Sequence, residues 1–120
     1  MKYLLLIAGL LLFSCESKSE EEVFPPKVSQ NCDTLNVTFS STVKGILDSR
    51  CNGCHDATNA SGGVVLDNYA SVKVQVDNTK LLSSIKHDGN ASQMPKDQNK
   101  LPDCEIQKIE RWILNGSPNN

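Results

Sequence analysis

The chain has 120 residues, which is enough for one small domain once any targeting segment has been removed. Hydrophobic residues make up 38% of the chain and aromatic residues 5%, so side chains alone would form a thin core that a large buried prosthetic group would help to fill. The formal net charge is -2 and no basic stripe runs through the body of the chain, which argues against nucleic acid as a partner.

The first residues are typical of an exported protein. Lys2 is followed by an apolar run over residues 4–13, which is too short to span a bilayer in a mature protein. The run ends at Cys15 in the sequence Leu-Phe-Ser-Cys, which resembles the lipobox of bacterial lipoproteins. This resemblance implies a lipoprotein signal peptide over 1–14, lipidation of Cys15, and a protein that is exported and lipid-anchored to a bacterial membrane, facing the periplasm or the cell surface. The alternative is an ordinary secretory signal with an incidental cysteine.

A polar and mostly acidic stretch follows Cys15. It contains the run Glu20-Glu21-Glu22 and then Pro25-Pro26, a composition that cannot bury apolar area and that favours extended backbone. We therefore expect residues 15–30 to form a lipidated acidic tether and residues 31–120 to form a single folded domain.

Three short helices are predicted after the tether. Ser40 or Ser41 is expected to cap the first helix, which ends as the chain reaches Cys51. Asp67 is expected to cap the second helix and Asn78 the third, which gives way to a turn-rich loop. The apolar positions of the three helices are Val43, Ile46 and Leu47, then Tyr69, Val72 and Val76, then Leu81, Leu82 and Ile85.

The fourth predicted helix has the clearest boundaries. Pro102 suits its first turn, Asp103 and Glu105 lie where the helix dipole favours anions, and Gly116 can end it in a left-handed conformation. Its core face comprises Ile106, Ile109, Trp112 and Ile113. The overall pattern predicts an all-α domain of about four helices.

Residues 51–55 read Cys-Asn-Gly-Cys-His and carry the most specific chemistry in the chain. The thiols of Cys51 and Cys54 can add across the vinyl groups of haem to form thioethers, and the adjacent His55 can place an imidazole nitrogen on the iron. A thioredoxin-like dithiol would require a strand–helix alternation that the sequence lacks. A zinc site would require a second ligand pair, and Cys32 and Cys104 are too far apart in sequence to supply one.

Residues from about 36 to 118 resemble a small class I cytochrome c domain of the kind found in bacterial lipoproteins. The residues that carry the resemblance are the Cys-x-x-Cys-His segment, the downstream Met94-Pro95 pair and the last helix with Trp112. The resemblance implies a cytochrome c-like fold with one covalently bound haem c, in which the first and last helices cross beside the haem.

The sixth iron ligand has two candidates, Met94 and His87. Met94 lies in a loop before a proline, where the cytochrome c family places its axial thioether, and is therefore favoured over His87. Two cysteines, Cys32 and Cys104, have no role in this scheme, and an oxidising compartment predicts a disulfide between them. The alternative for this pair is two buried free thiols.

The resemblance implies a single-electron carrier rather than an enzyme. A fully ligated iron offers no open position for a substrate, and no second cluster of His or acidic residues suggests one. Redox proteins are then the expected partners, together with the membrane that Cys15 would enter. Two alternatives stay open: a haem-based ligand-binding or peroxidase-like module, and a haem subunit that docks to a larger membrane enzyme.

Overall fold

The computed structural model of the protein describes residues 32–120, and this part of the chain is helical without any strand. The predicted signal peptide (1–14), the tether (15–30) and Cys15 lie outside the described residues. No helix within the described part is long and apolar enough to cross a membrane. The α-helices are α1 (Lys44–Arg50), α2 (Asn52–His55), α3 (Tyr69–Asp77), α4 (Lys80–Lys86) and α5 (Asp103–Leu114), with a π-helical segment at Phe39–Val43 and a 3-10 turn at Ser61–Gly63.

The first helix begins earlier than predicted. The capping residue is Thr38, whose hydroxyl oxygen accepts a hydrogen bond from the Ser41 amide at 3.2 Å, so the prediction of Ser40 or Ser41 as the cap is wrong. The Thr38 carbonyl also accepts from the Val43 amide at 3.1 Å, which gives this first turn its wider, π-helical form. The helix then continues directly into α1 and ends, as expected, at Cys51.

The caps of the two middle helices also differ from the prediction by one residue. Asn68, not Asp67, caps α3, because its side-chain oxygen accepts from the Ser71 amide at 3.0 Å. Asp67 instead accepts from the Ala57 amide at 2.8 Å and so fixes the loop that leaves the Cys-x-x-Cys-His segment. For α4 the cap position is Thr79, which adopts a left-handed conformation with φ 64°. The side chain of Asn78 nevertheless accepts a hydrogen bond from the Lys80 amide, the first of α4.

The predicted core face of the last helix is confirmed. Ile106, Ile109 and Trp112 are buried, Ile113 packs partly buried against the core, and Gly116 follows the helix with φ 90°. The π-helical segment packs against α5, which realises the expected meeting of the N-terminal and C-terminal helices. The remaining buried apolar residues are Val37, Phe39, Val43, Leu47, Leu66, Val72, Leu81, Ile85 and Leu101.

Three aromatic rings fill the centre of this core. The ring centroid of Phe39 lies 5.2 Å from that of Tyr69 and 5.5 Å from that of Trp112. Both polar aromatic groups find partners in the C-terminal tail: the Tyr69 hydroxyl donates to the Ser117 carbonyl and the Trp112 indole N–H donates to the Pro118 carbonyl, each at 2.9 Å. The tail therefore supplies hydrogen-bond acceptors for both of these donors.

A disulfide joins Cys32 to Cys104, with 5.4 Å between their Cα atoms. It ties the beginning of the described chain to the first turn of α5. In the same turn, Glu105 accepts two hydrogen bonds from the Arg50 guanidinium, at 2.8 and 3.0 Å. The end of α1, immediately before Cys51, is thus linked to α5 by a bidentate ion pair next to the disulfide.

Replacing both Cys32 and Cys104 with Ser should destabilise the domain. The cross-link spans 72 residues of sequence. By the chain-entropy estimate, its loss lowers the free energy of unfolding by roughly 4 kcal/mol. Guanidinium unfolding of the oxidised wild type and of the variant measures this difference, and equal midpoints in both would contradict the expected role of the disulfide.

Candidate functional site

A cavity of about 1550 Å³ opens between the Cys-x-x-Cys-His turn, α4 and the loop that precedes α5. Cys51, Cys54, His55 and Met94 all line this cavity. Its apolar wall comprises Val64, Leu66, Leu81, Ile85 and Leu101. The volume is larger than the roughly 300–1,000 Å³ of ordinary small-molecule sites. The cavity can therefore accept a large, mainly apolar group that contacts thiol, imidazole and thioether side chains together.

The Cys-x-x-Cys-His segment forms one helical turn, which explains why its three reactive side chains meet the same cavity. The amides of Cys54 and His55 both donate to the Cys51 carbonyl at 3.0 Å. In a helix, residues at positions i, i+3 and i+4 share one face, and Cys51, Cys54 and His55 have this spacing. The Cys51 amide in turn donates to the Leu47 carbonyl at 2.8 Å, so α1 supports the turn from its N-terminal side.

The orientation of the His55 ring is set by the backbone that follows it. Its Nδ1 lies 3.2 Å from the Val64 carbonyl oxygen. A carbonyl oxygen can only accept, so Nδ1 carries the proton and the lone pair of Nε2 is free to bind a metal. The Leu66 amide donates to the His55 carbonyl at 2.7 Å and holds the same loop in place. The role of Val64 could not be predicted from the sequence, because a residue of any type can supply a backbone carbonyl.

The two thiols of the segment differ in environment. Cys54 is exposed, whereas Cys51 is half-buried, and both are free thiols. Burial raises the pKa of Cys51 to about 11; the nearby Glu105 carboxylate adds to the rise and Arg50 opposes it. Cys51 therefore stays protonated at neutral pH. Because a dithiol oxidoreductase requires a readily formed thiolate, this environment disfavours the thioredoxin-like interpretation.

The two candidate axial ligands occupy different places. Met94 is half-buried and lines the cavity, and its peptide bond to Pro95 is cis. His87 ends α4 and is not among the residues that line the cavity. Its Nε2 lies 2.9 Å from the Met94 carbonyl oxygen instead. The structure thus brings Met94 together with Cys51, Cys54 and His55, and it places His87 behind the methionine backbone.

In the described part of the chain, the side chains that most often bind a metal ion are not clustered in threes. Within residues 32–120, no three His, Cys, Asp or Glu side chains lie close enough together to bind one. A structural zinc ion in proteins is almost always held by four such ligands. The thiol, imidazole and thioether groups around the cavity suit a cofactor that brings most of its own metal ligands, as the porphyrin of haem does.

One family model, described as Planctomycete cytochrome C, matches residues 51–98. The matched range begins at Cys51 and contains Cys54, His55 and Met94, together with α3 and α4. No curated protein and no solved structure matches the chain. The similarity supports a c-type cytochrome-like domain, and the all-α, small cytochrome c-like fold predicted from the sequence is confirmed. The cofactor that the family implies is covalently bound haem c with its iron, and the residues that line the cavity fit this group.

Replacing both Cys51 and Cys54 with Ser should release the haem from the chain. Without the thiols no thioether can form, so acid–acetone extraction should remove all of the haem colour from the variant and none from the wild type. The Cys32→Ser/Cys104→Ser variant is the matched control, because it removes two other cysteines and should keep its haem. Haem that stays with the Cys51→Ser/Cys54→Ser protein after extraction would refute attachment at these positions.

Proposed function

We propose that the protein is a single-electron carrier with one haem c, attached by Cys51 and Cys54, with His55 as the proximal and Met94 as the distal iron ligand. The observation that supports this best is the cavity, which gathers the four side chains from two segments that lie far apart in sequence. The covalently bound haem supplies an iron that takes up and releases one electron. The residues of the chain attach it, orient it and shield it from water.

Each side chain has a separate task in this proposal. Thioethers at Cys51 and Cys54 would fix the porphyrin to the turn at residues 51–55. His55, with Nδ1 held by the Val64 carbonyl, presents Nε2 in one fixed orientation, and the hydrogen bond raises its basicity as a ligand. The neutral thioether of Met94 favours the ferrous state and so raises the reduction potential. If His55 and Met94 both bound the iron, no position on it would remain for a substrate, and the domain would act as a carrier rather than an enzyme.

The choice of Met94 over His87 as distal ligand rests on their surroundings. The Nε2 atom of His87 is engaged with the Met94 carbonyl, and a ligand role would require the ring to leave that bond and enter the cavity. Met94 already lies at the cavity surface. Its thioether is also flexible and polarisable, so it can follow a small change in the position of the iron.

We further propose that Cys15 anchors the protein to a membrane and that its partners are redox proteins. The apolar run before Cys15, its lipobox-like end and the acidic tether after it support export and lipidation. A carrier held on a tether can reach an electron donor and an electron acceptor on or near the same membrane. The cavity is partly open to solvent, so a haem bound in it would be accessible to such partners.

Replacing Met94 with Leu tests the distal ligand. The variant should lose the far-red band that a thioether produces on ferric haem, and its reduction potential should fall by roughly 0.2 V, a part of the about 0.8 V over which axial ligands tune haem. The iron should also bind added imidazole readily. Met94→Leu protein that keeps the wild-type spectrum and potential would show that Met94 is not a ligand and would favour His87 or an open, ligand-binding iron.

Lipidation is tested by growing cells that produce the full chain with labelled palmitate. The wild type should incorporate the label and, after purification from membranes, should begin at Cys15, because the lipobox-like sequence directs acylation and cleavage there. Cys15→Ser protein should incorporate none. The Cys32→Ser variant is the control for loss of a cysteine elsewhere. An unlabelled wild type that begins at another residue would contradict the lipoprotein assignment.

A further inference from the structure

The segment that carries Met94 is tied to α4 at two points of its backbone. This segment, between α4 and α5, contains no helix and no strand. The Met94 amide donates to the Ser84 carbonyl at 3.1 Å, and the Met94 carbonyl oxygen lies 2.9 Å from Nε2 of His87. Since the carbonyl can only accept, Nε2 of His87 donates this hydrogen bond. Both polar backbone groups of Met94 are thus satisfied by residues of one neighbouring turn.

The turn that carries His87 is itself fixed. His87 ends α4 in a left-handed conformation with φ 57°, which directs the chain away from the helix axis. The next residue, Asp88, accepts hydrogen bonds from the Ser83 hydroxyl and from the Asn90 amide. Because Ser83 is buried, with 6% of its surface exposed, this pair anchors the turn to the core. The backbone that carries the His87 imidazole is therefore held in place by hydrogen bonds to the core.

We infer that His87 is a positioning residue for the axial ligand, and that its Nε2–H holds the Met94 backbone so that the thioether stays directed into the cavity. The inference rests on the proposed role of Met94 as iron ligand. A methionine side chain already has three rotatable bonds, so any movement of its backbone would add further orientations that compete with the bound one. A partner behind a ligand tunes ligation in this way without touching the metal.

Two variants of His87 separate this role from a general effect on folding. His87→Gln keeps an N–H donor at nearly the distance of Nε2 from the backbone, whereas His87→Leu removes the donor and keeps similar bulk. Both residues have the same unbranched Cβ, so the left-handed backbone strains them alike. The measurement is the affinity of the ferric, haem-loaded full chain for imidazole, which must displace the thioether to bind, together with the far-red thioether band and the guanidinium unfolding midpoint.

His87→Leu should bind imidazole roughly five-fold more tightly than the wild type, as expected for the loss of one neutral hydrogen bond, and His87→Gln should restore most of the difference. The Leu and Gln variants should therefore differ in imidazole affinity by most of this factor, whereas their unfolding midpoints should be close to each other. Equal imidazole affinity in the wild type and His87→Leu, with the thioether band present in both, would overturn the positioning role and leave the proposed function intact. A wild type without the thioether band would refute the role of Met94 and, with it, this inference.

Discussion

The hydrogen-bonded turn at residues 51–55 is the constraint on which the rest of the site depends. Two amides converge on the Cys51 carbonyl, and this single helical turn sets both cysteines and His55 on one face. α1 supports the turn from one side through the Leu47 carbonyl, and the loop through Val64 and Leu66 supports it from the other. A cofactor attached here is held by three side chains whose spacing is fixed by backbone geometry rather than by packing.

The rest of the domain holds a second segment, which carries Met94, at the same cavity as this turn. The aromatic core and the C-terminal tail join the π-helical segment to α5, and the disulfide with the Arg50–Glu105 ion pair holds the end of α1 against the first turn of that helix. α4 then carries Ser84 and His87, which bind both backbone groups of Met94. The proposed ligands come from distant parts of the sequence and line one cavity because these links leave the backbone few alternatives.

Much of this arrangement could be predicted from the sequence, because it depends on the spacing of apolar residues and on residue types with specific chemistry. The core face of α5 followed from its apolar spacing. The haem-binding role proposed for residues 51–55 was predicted from two thiols next to an imidazole. The caps could not be fixed, because neighbouring residues such as Asp67 and Asn68 have similar capping ability and tertiary contacts decide between them. The partners of the site residues, the Val64 carbonyl and the His87 ring, depend on chain positions that only the folded backbone brings together.

The central claim is that one haem iron is held between His55 and Met94 in a carrier with no open coordination position. Near-infrared magnetic circular dichroism of the oxidised, haem-loaded protein tests it most directly, because this spectrum distinguishes axial ligand pairs on ferric haem. We predict a low-spin signal at the energy typical of histidine–methionine ligation. A bis-histidine signal would assign the distal position to His87, and a high-spin signal would show an open iron; either result would contradict the account.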